Sequence, residues 1–344
     1  MIAETIGIIV EDIAQFTTPL IVEGVMGVCE EKGYKTVVQN LRLYSRWQDL
    51  WFDNSKMVES VLRPAIQELK NIMVDGIIYI AGHSRHMVFP EEINVPVVLC
   101  YTRSETRCLP SVVLDDEESA YLIMKYIIGK GHRNIGIIAG EKDNLHSMQR
   151  LKGCQRAFKD AGIEFQSEKV VFAGWNKEHG YKSTEYFINM GVSAVMCMND
   201  RLAGGLYQYC YENNIKIGKD ISVTGFDNEL LAECYTPGLT TVEIPLVKLG
   251  GEAMRLLFEM TAEKEAEQEE AVAVEAQVGM ESEAEKEAEV GKEAETEMKM
   301  EAQAEAEAQM EAGSKRYEHT KEPEPAPCIK VIGSVIERFS VCEV

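Results

Sequence analysis

The sequence predicts an α/β fold built as two parallel-sheet lobes. Up to about residue 260, short β-branched runs alternate with amphipathic stretches of helical length, the rhythm of repeated strand–helix units. The pattern completes one open sheet by Tyr101 and restarts after SVVLDD (residues 111–116). A chain of 344 residues with 45% hydrophobic content is long enough for two such cores.

The first unit is TIGIIV, a loop, and then PLIVEGVMGVCEEKG, where Ile21, Val25 and Val28 recur at helical spacing and Gly33 supplies the stop. The strand KTVVQN follows at once. A polar and aromatic connection over Leu41–Ser55 leads to a helix near Met57–Met73, the strand DGIIYI and the strand PVVLCY. In the second half come a helix around Glu118–Gly129, NIGIIAG, a helix near Gln149–Ala161, KVVF, a helix near Glu178–Met190, AVMCM, a helix after Asp200, and ISVTGF. The run LTTVEI and the helix-like PLVKLGGEAMRLLFEM then supply one more strand and helix, which can return to the first lobe.

Residues 262–327 break the rhythm, with Glu and Ala alternating and then KEPEPAP. Alternation at period two puts charge all round a helix and leaves no face to bury, which predicts a solvated helix or disordered insertion. An acidic partner-binding tail is the alternative. CIKVIGSVIERFSV is strand-like again, so the insertion interrupts the fold. Residues 262–312 hold 18 Glu against 4 Lys, placing 14 of the 22 net negative charges there. Neither part offers a basic stripe, which disfavours direct nucleic-acid binding by these residues.

Other classes are excluded on similar grounds. No run approaches the roughly 18 apolar residues of a membrane helix. The start, MIAETIGIIVEDI, lacks the basic, apolar and cleavage regions of an export signal, so a cytoplasmic location is expected. Nine cysteines are an odd number, and Cys100 and Cys197 lie inside apolar runs, so reduced structural thiols are expected. With no C-x-x-C or H-E-x-x-H spacing, neither a metal nor a cofactor is expected.

Several segments, in order and separation, resemble the effector-binding part of the LacI/GalR family of transcription regulators. The most specific are KGHRNIGIIAG, MNDRLAGG, ISVTGFDN and GLTTVEIP, and the similarity covers roughly residues 5–260 plus 329–341. The resemblance implies two doubly wound lobes of periplasmic-binding-protein-like type, three crossovers, and a small ligand in the cleft between the lobes. It places residues 1–114 plus 243–261 in the N-terminal lobe, residues 115–242 plus 328–344 in the C-terminal lobe, and 262–327 in the insertion. Members carry about 60 residues with a helix-turn-helix and a hinge helix ahead of the first strand. Here Met1–Glu4 precede it, so either the headpiece is lost or the start is truncated.

The resemblance also implies site residues. Arg150 in QRLKG, at a helix start, stands where the family faces an arginine to the ligand, and a guanidinium offers several fixed donors. Asp227 in GFDN ends a strand, either accepting from vicinal hydroxyls or capping the next helix. Asn199 is expected on the ligand and Asp200 as the helix cap. Trp175 in FAGW aligns with an aromatic that stacks on sugar faces or purines. Gln15 and Phe16, with Thr17 beside them, occupy the loop after the first strand, and Tyr101 stands where sugar-binding relatives can have an acidic residue. His146, nearby in NLHSMQR, is within reach of the cleft, but a lone loop histidine is more often solvated, and that is the expectation.

The expected function is sensing of a small metabolite, most readily a sugar or sugar derivative, by a homodimeric regulator that reaches DNA only through a headpiece. A transporter's solute-binding protein shares the fold but needs export. An enzyme would need a nucleophile–base pair or phosphate-binding element that the sequence lacks. No catalytic residue and no membrane partner are expected.

Overall fold

The computed structural model describes residues 4–48, 50–52, 54–90, 93–105, 108–262 and 326–344. The chain divides into two compact units, Met1–Leu257 with Ala326–Val344, and Phe258–Pro325. Both principal sheets belong to the first unit. The expected insertion at 262–327 lies almost wholly outside the described residues.

The first lobe runs β1 (Thr5–Val10), α1 (Thr18–Lys32), β2 (Lys35–Asn40), α2 (Leu43–Trp47), α3 (Ser55–Asn71), β3 (Gly76–Ile80), β4 (His86–Met87), β5 (Val97–Cys100), β6 (Arg103–Ser104) and β7 (Ser111–Leu114). The second runs α4 (Asp116–Gly129), β8 (Ile135–Ala139), α5 (Leu145–Asp160), β9 (Val170–Phe172), α6 (Lys177–Asn189), β10 (Ala194–Cys197), α7 (Asp200–Glu212), β11 (Ser222–Thr224) and α8 (Leu230–Cys234). Then come β12 (Thr241–Glu243), a helix α9 beginning at residue 246, β13 (Cys328–Val331) and β14 (Ser334–Ile336).

The first lobe is a six-stranded sheet in the order β13-β7-β5-β3-β1-β2, and the second a four-stranded sheet in the order β11-β10-β8-β9. Every strand pair within these sheets is parallel. Helices cover both faces, which is why β3, β5, β8 and β10 are buried along their whole length and read as unbroken apolar runs. Buried thiols fill gaps in these layers. Burial pushes Cys154 and Cys210 up to about 12, so they behave as inert core residues.

Three crossings join the lobes. The chain leaves the first sheet after β7 into α4 and returns after β12 into α9. Helix α9 packs on α1 so closely that a Cβ on Gly250 would lie 2.0 Å from the Ile21 carbonyl oxygen, and one on Gly24 2.0 Å from that of Val247. Only glycine allows that backbone approach. The chain leaves the first lobe a second time between β13 and β14. The crossings are tied side by side, because β12 pairs antiparallel with β14 and the Asp115 N–H donates to the Val331 carbonyl.

Assigning residues 328–344 wholly to the second lobe therefore needs correction. Cys328–Val331 pairs with Ser111–Leu114, completing the open edge that β7 leaves in the first sheet. Only the later residues reach the second lobe, where the Val223 N–H donates to the Ser340 carbonyl and the Ser340 hydroxyl donates to the Val223 carbonyl. Helix α5 also begins four residues before the predicted Gln149. The Asn144 side chain accepts from the N–H groups of His146 and Ser147, an N-cap that the polar run NLHSMQ conceals.

Candidate functional site

The loops that follow the carboxyl ends of the parallel strands converge between the lobes, where open α/β sheets place their ligands. From the first lobe come residues 11–17 after β1, 81–85 after β3 and Tyr101 after β5. From the second come α5 after β8, Trp175 after β9, Asn199 after β10 and Asp227 after β11.

Arg150 is the centre of the cluster. It lies in the second turn of α5, not at its start, and is 2% exposed. Its Nε donates to Asp116 Oδ1 at 2.8 Å, and its Nη1 donates to the Met198 carbonyl and reaches Asp227 Oδ1 at 3.5 Å. The guanidinium carbon stands 3.6 Å from the centroid of the Phe226 ring and 5.9 Å from that of Trp175. A planar, delocalised cation suits such a slot between carboxylates and aromatic faces.

The two aspartates are driven in opposite directions. Burial pushes Asp116 up, but His146 and Arg150, both at 2.8 Å, more than offset this and hold its carboxyl below the ordinary value. Burial also pushes Asp227 up, and here Arg150 is too distant to offset it, while Asp200, Glu229 and Asp116 add repulsion. Asp227 therefore stands well above the usual carboxylate range. A carboxyl so placed can donate as well as accept. The capping alternative for Asp227 fails, because α8 begins only at Leu230 and its N-cap is Glu229.

The chain takes on strain to form this cluster. Tyr101 has φ of 65° and Asp227 φ of 103°, conformations that residues with a Cβ rarely adopt. Tyr101 is buried, with its ring centroid 5.5 Å from that of His146.

The cap of α7 falls on Asn199, not on Asp200, which is structural in another way. The Asn199 carbonyl oxygen accepts from the Leu202 N–H at 2.7 Å, making it the cap of α7, and its amide donates to the Trp175 carbonyl at 2.9 Å. Asp200 accepts from the Thr241 hydroxyl at 2.6 Å and the Glu229 N–H at 2.8 Å, tying α7 to β12 and the loop before α8. Trp175 is half-buried, its ring so close to Gly140 that a Cβ there would lie 2.1 Å from it. Gln15 packs against Gly82, and Phe16 faces the Arg201 guanidinium of the second lobe at 5.6 Å.

Two participants go beyond what the sequence reading favoured. His146, expected to be solvated, is 6% exposed and bridges Asp116 and the Ser84 backbone. Asp116 was legible in principle from the pair Asp115–Asp116 at a helix start. Only one of two neighbouring acids caps, here Asp115 onto the Glu118 N–H, which leaves the other to point elsewhere.

Comparison with known proteins agrees with this architecture. Residues 124–279 match the family described as periplasmic binding protein-like domain. The HTH-type transcriptional regulator RegA of Clostridium saccharobutylicum is 30% identical over 270 residues, 77% of this chain and 77% of that protein. Among solved structures, a LacI family transcriptional regulator from Enterococcus faecium with bound ribose aligns with a TM-score of 0.61 at 19% identity, covering 99% of this chain and 100% of that one. The lac repressor dimer bound to operator and the anti-inducer ONPF aligns with a TM-score of 0.62 at 16% identity, covering 99% and 94%. By its order of motifs, its two-lobed fold and its identity to RegA, this chain belongs to the LacI/GalR family of transcriptional regulators.

Proposed function

We propose that the chain senses a hydroxyl-rich metabolite, a sugar or sugar derivative, held between the lobes by Arg150 and Asp227 and flanked by Trp175, Tyr101, Phe16, Gln15 and Asn199. The observation that carries this reading is the buried Arg150, which lies among Asp116, Asp227 and two aromatic faces at the meeting of the strand ends. Such a group supplies fixed donors, acceptors and flat apolar surface together, the combination that sugar rings require. Ribose in the Enterococcus faecium relative supports the class of ligand. An effector that touches both lobes shifts their relative orientation by its differential affinity for the two arrangements. In this reading the chain works as a cytoplasmic homodimer, conveys that shift to DNA-binding segments, and has no catalytic role.

The test is titration calorimetry against a panel of free pentoses and hexoses, with Asp227→Ala beside the wild type. One panel member should bind, and the variant should bind it about ten- to a hundredfold more weakly, as leaving a buried ligand hydroxyl without its hydrogen-bond partner implies. Equal affinity in the two proteins, or no binding across the panel, refutes the assignment.

A further inference from the structure

We propose that Glu11 is a positioning residue: its buried carboxylate grips the loop after β3 at two points and so sets the Ser84 amide where it meets the second lobe. The proposal deepens the sensing reading, and rests on it only for the use to which this wall of the cleft is put. Glu11 directly follows β1, two residues beyond Ile9, whose partner in register is Tyr79 on β3. Side chains two apart share a face of a sheet, so Glu11 and Tyr79 emerge on the same side. The Tyr79 hydroxyl donates to Glu11 Oε1 at 2.8 Å, and Arg85 Nη2 donates to the same oxygen. The Gly82 N–H donates to Oε2 at 2.8 Å. Glu11 is 1% exposed, and its carboxylate bonds none of the residues that flank the ligand.

Ser84 lies between the two holds. In front of it, Gly82 is fixed by its N–H on Glu11 and by its carbonyl, which accepts from the Thr17 hydroxyl at 3.1 Å. Behind it, Arg85 is fixed by its guanidinium, paired with Glu11 and standing 4.9 Å from the centroid of the Trp51 ring. The Arg85 carbonyl also accepts from the Thr102 hydroxyl and from the Arg103 N–H. A four-residue loop pinned at both ends keeps little backbone freedom. From it the Ser84 N–H donates to His146 Nε2 at 3.0 Å, a bond from the first lobe to the second. Thr17 follows Phe16 after β1, and Thr102 follows Tyr101 after β5, so the loop that Glu11 holds ties the first-lobe side of the cleft into one piece. A buried ion pair adds little net stability, because desolvation offsets the attraction. What this pair contributes is a fixed geometry, the support that a binding wall needs from behind.

Hydrogen exchange at the Ser84 amide, beside thermal melts of the full chain at one neutral pH, tests this without any effector. Glu11→Gln keeps an acceptor for Gly82 but loses the hold on Arg85. Ser84 protection should fall about ten- to a hundredfold, the range carried by one hydrogen bond to a charged partner. The melting point should fall as well, because a buried cation is left unpaired. The double variant Glu11→Gln with Arg85→Met removes both charges and separates positioning from charge balance. Its melting point should return toward that of the wild type while Ser84 protection stays low and the amides of β3 and β10 keep theirs. Recovery of Ser84 protection in the double variant overturns the proposal, since the pair would then serve only to balance charge. Unchanged protection in Glu11→Gln overturns it too, as does a loss spread evenly over β1, β3 and β5. Should Glu11→Gln fail to fold, the double variant decides alone. Failure of the sugar titrations with these outcomes intact would remove the sensing reading and leave the positioning role standing.

Discussion

Replacing Arg150 with alanine probes the centre of the cluster most directly. The guanidinium donates to Asp116 and the Met198 carbonyl, lies within 3.5 Å of Asp227, and covers the Phe226 face. Its removal leaves two buried carboxyl groups without a cation and a buried carbonyl without a donor. Breaking a buried ion pair by deleting one partner costs about 3–5 kcal/mol. The lost cation–π contact, worth about 2 kcal/mol when desolvated, overlaps with that figure and does not simply add to it. A total near 4 kcal/mol corresponds to a melting point lowered by roughly 8–16 °C at about 2–4 °C per kcal/mol. The sign with pH follows from Asp116, whose folded value lies below its unfolded one. Its contribution is present above about pH 4 and is lost as the pH falls through the folded value, so wild type and variant should converge in acid. Calorimetric melts at pH 7 and across the acid range measure both effects. A drop under about 3 °C at pH 7, or a gap that widens in acid, would show that Arg150 is not held as described.

Two further substitutions examine the neighbours. Asn199→Ala should cost about 1 kcal/mol by urea denaturation through loss of the α7 cap, while Asn199→Asp should keep most of it; equal losses in both would point away from capping. Asp200, pushed by burial to about 7, binds a proton in the folded chain that the unfolded chain has released above about pH 4. Its contribution to stability therefore falls as the pH rises from about 4 to 7, and Asp200→Asn should gain on the wild type across that window in pH-dependent melts.

The strands and lobes were legible in the sequence because parallel strands covered on both faces leave unbroken apolar runs, as in GIIYI and AVMC. Arg150 and Asp227 were found through the motifs around them. Their mutual geometry was not, because residues 77 positions apart meet only through packing. The choice of Asn199 over Asp200 as the cap of α7 shows the limit of local chemistry. Either side chain can cap α7, and the choice depends on Thr241 and Glu229, which reach Asp200 from distant segments. The solvated reading of His146 gives way for the same reason, since nothing near NLHSMQR announces that Ser84 will face it. The edge position of β13 follows from the free edge of β7, which is a property of the assembled sheet.

The crossings between the lobes have a mechanical consequence. Three independent tethers would let one lobe slide, twist and tip against the other. Here two crossing strands form an antiparallel ladder, and the third is tied to its neighbour by Asp115 and Val331. Sliding one crossing along another would break that ladder, whereas a small rotation spread over the backbone torsions at the ends of the ribbon would not. What remains is a swing about a line through the ribbon. Whatever occupies the cleft is thus reported as a single angle, and a distant reader of this chain need measure only one coordinate.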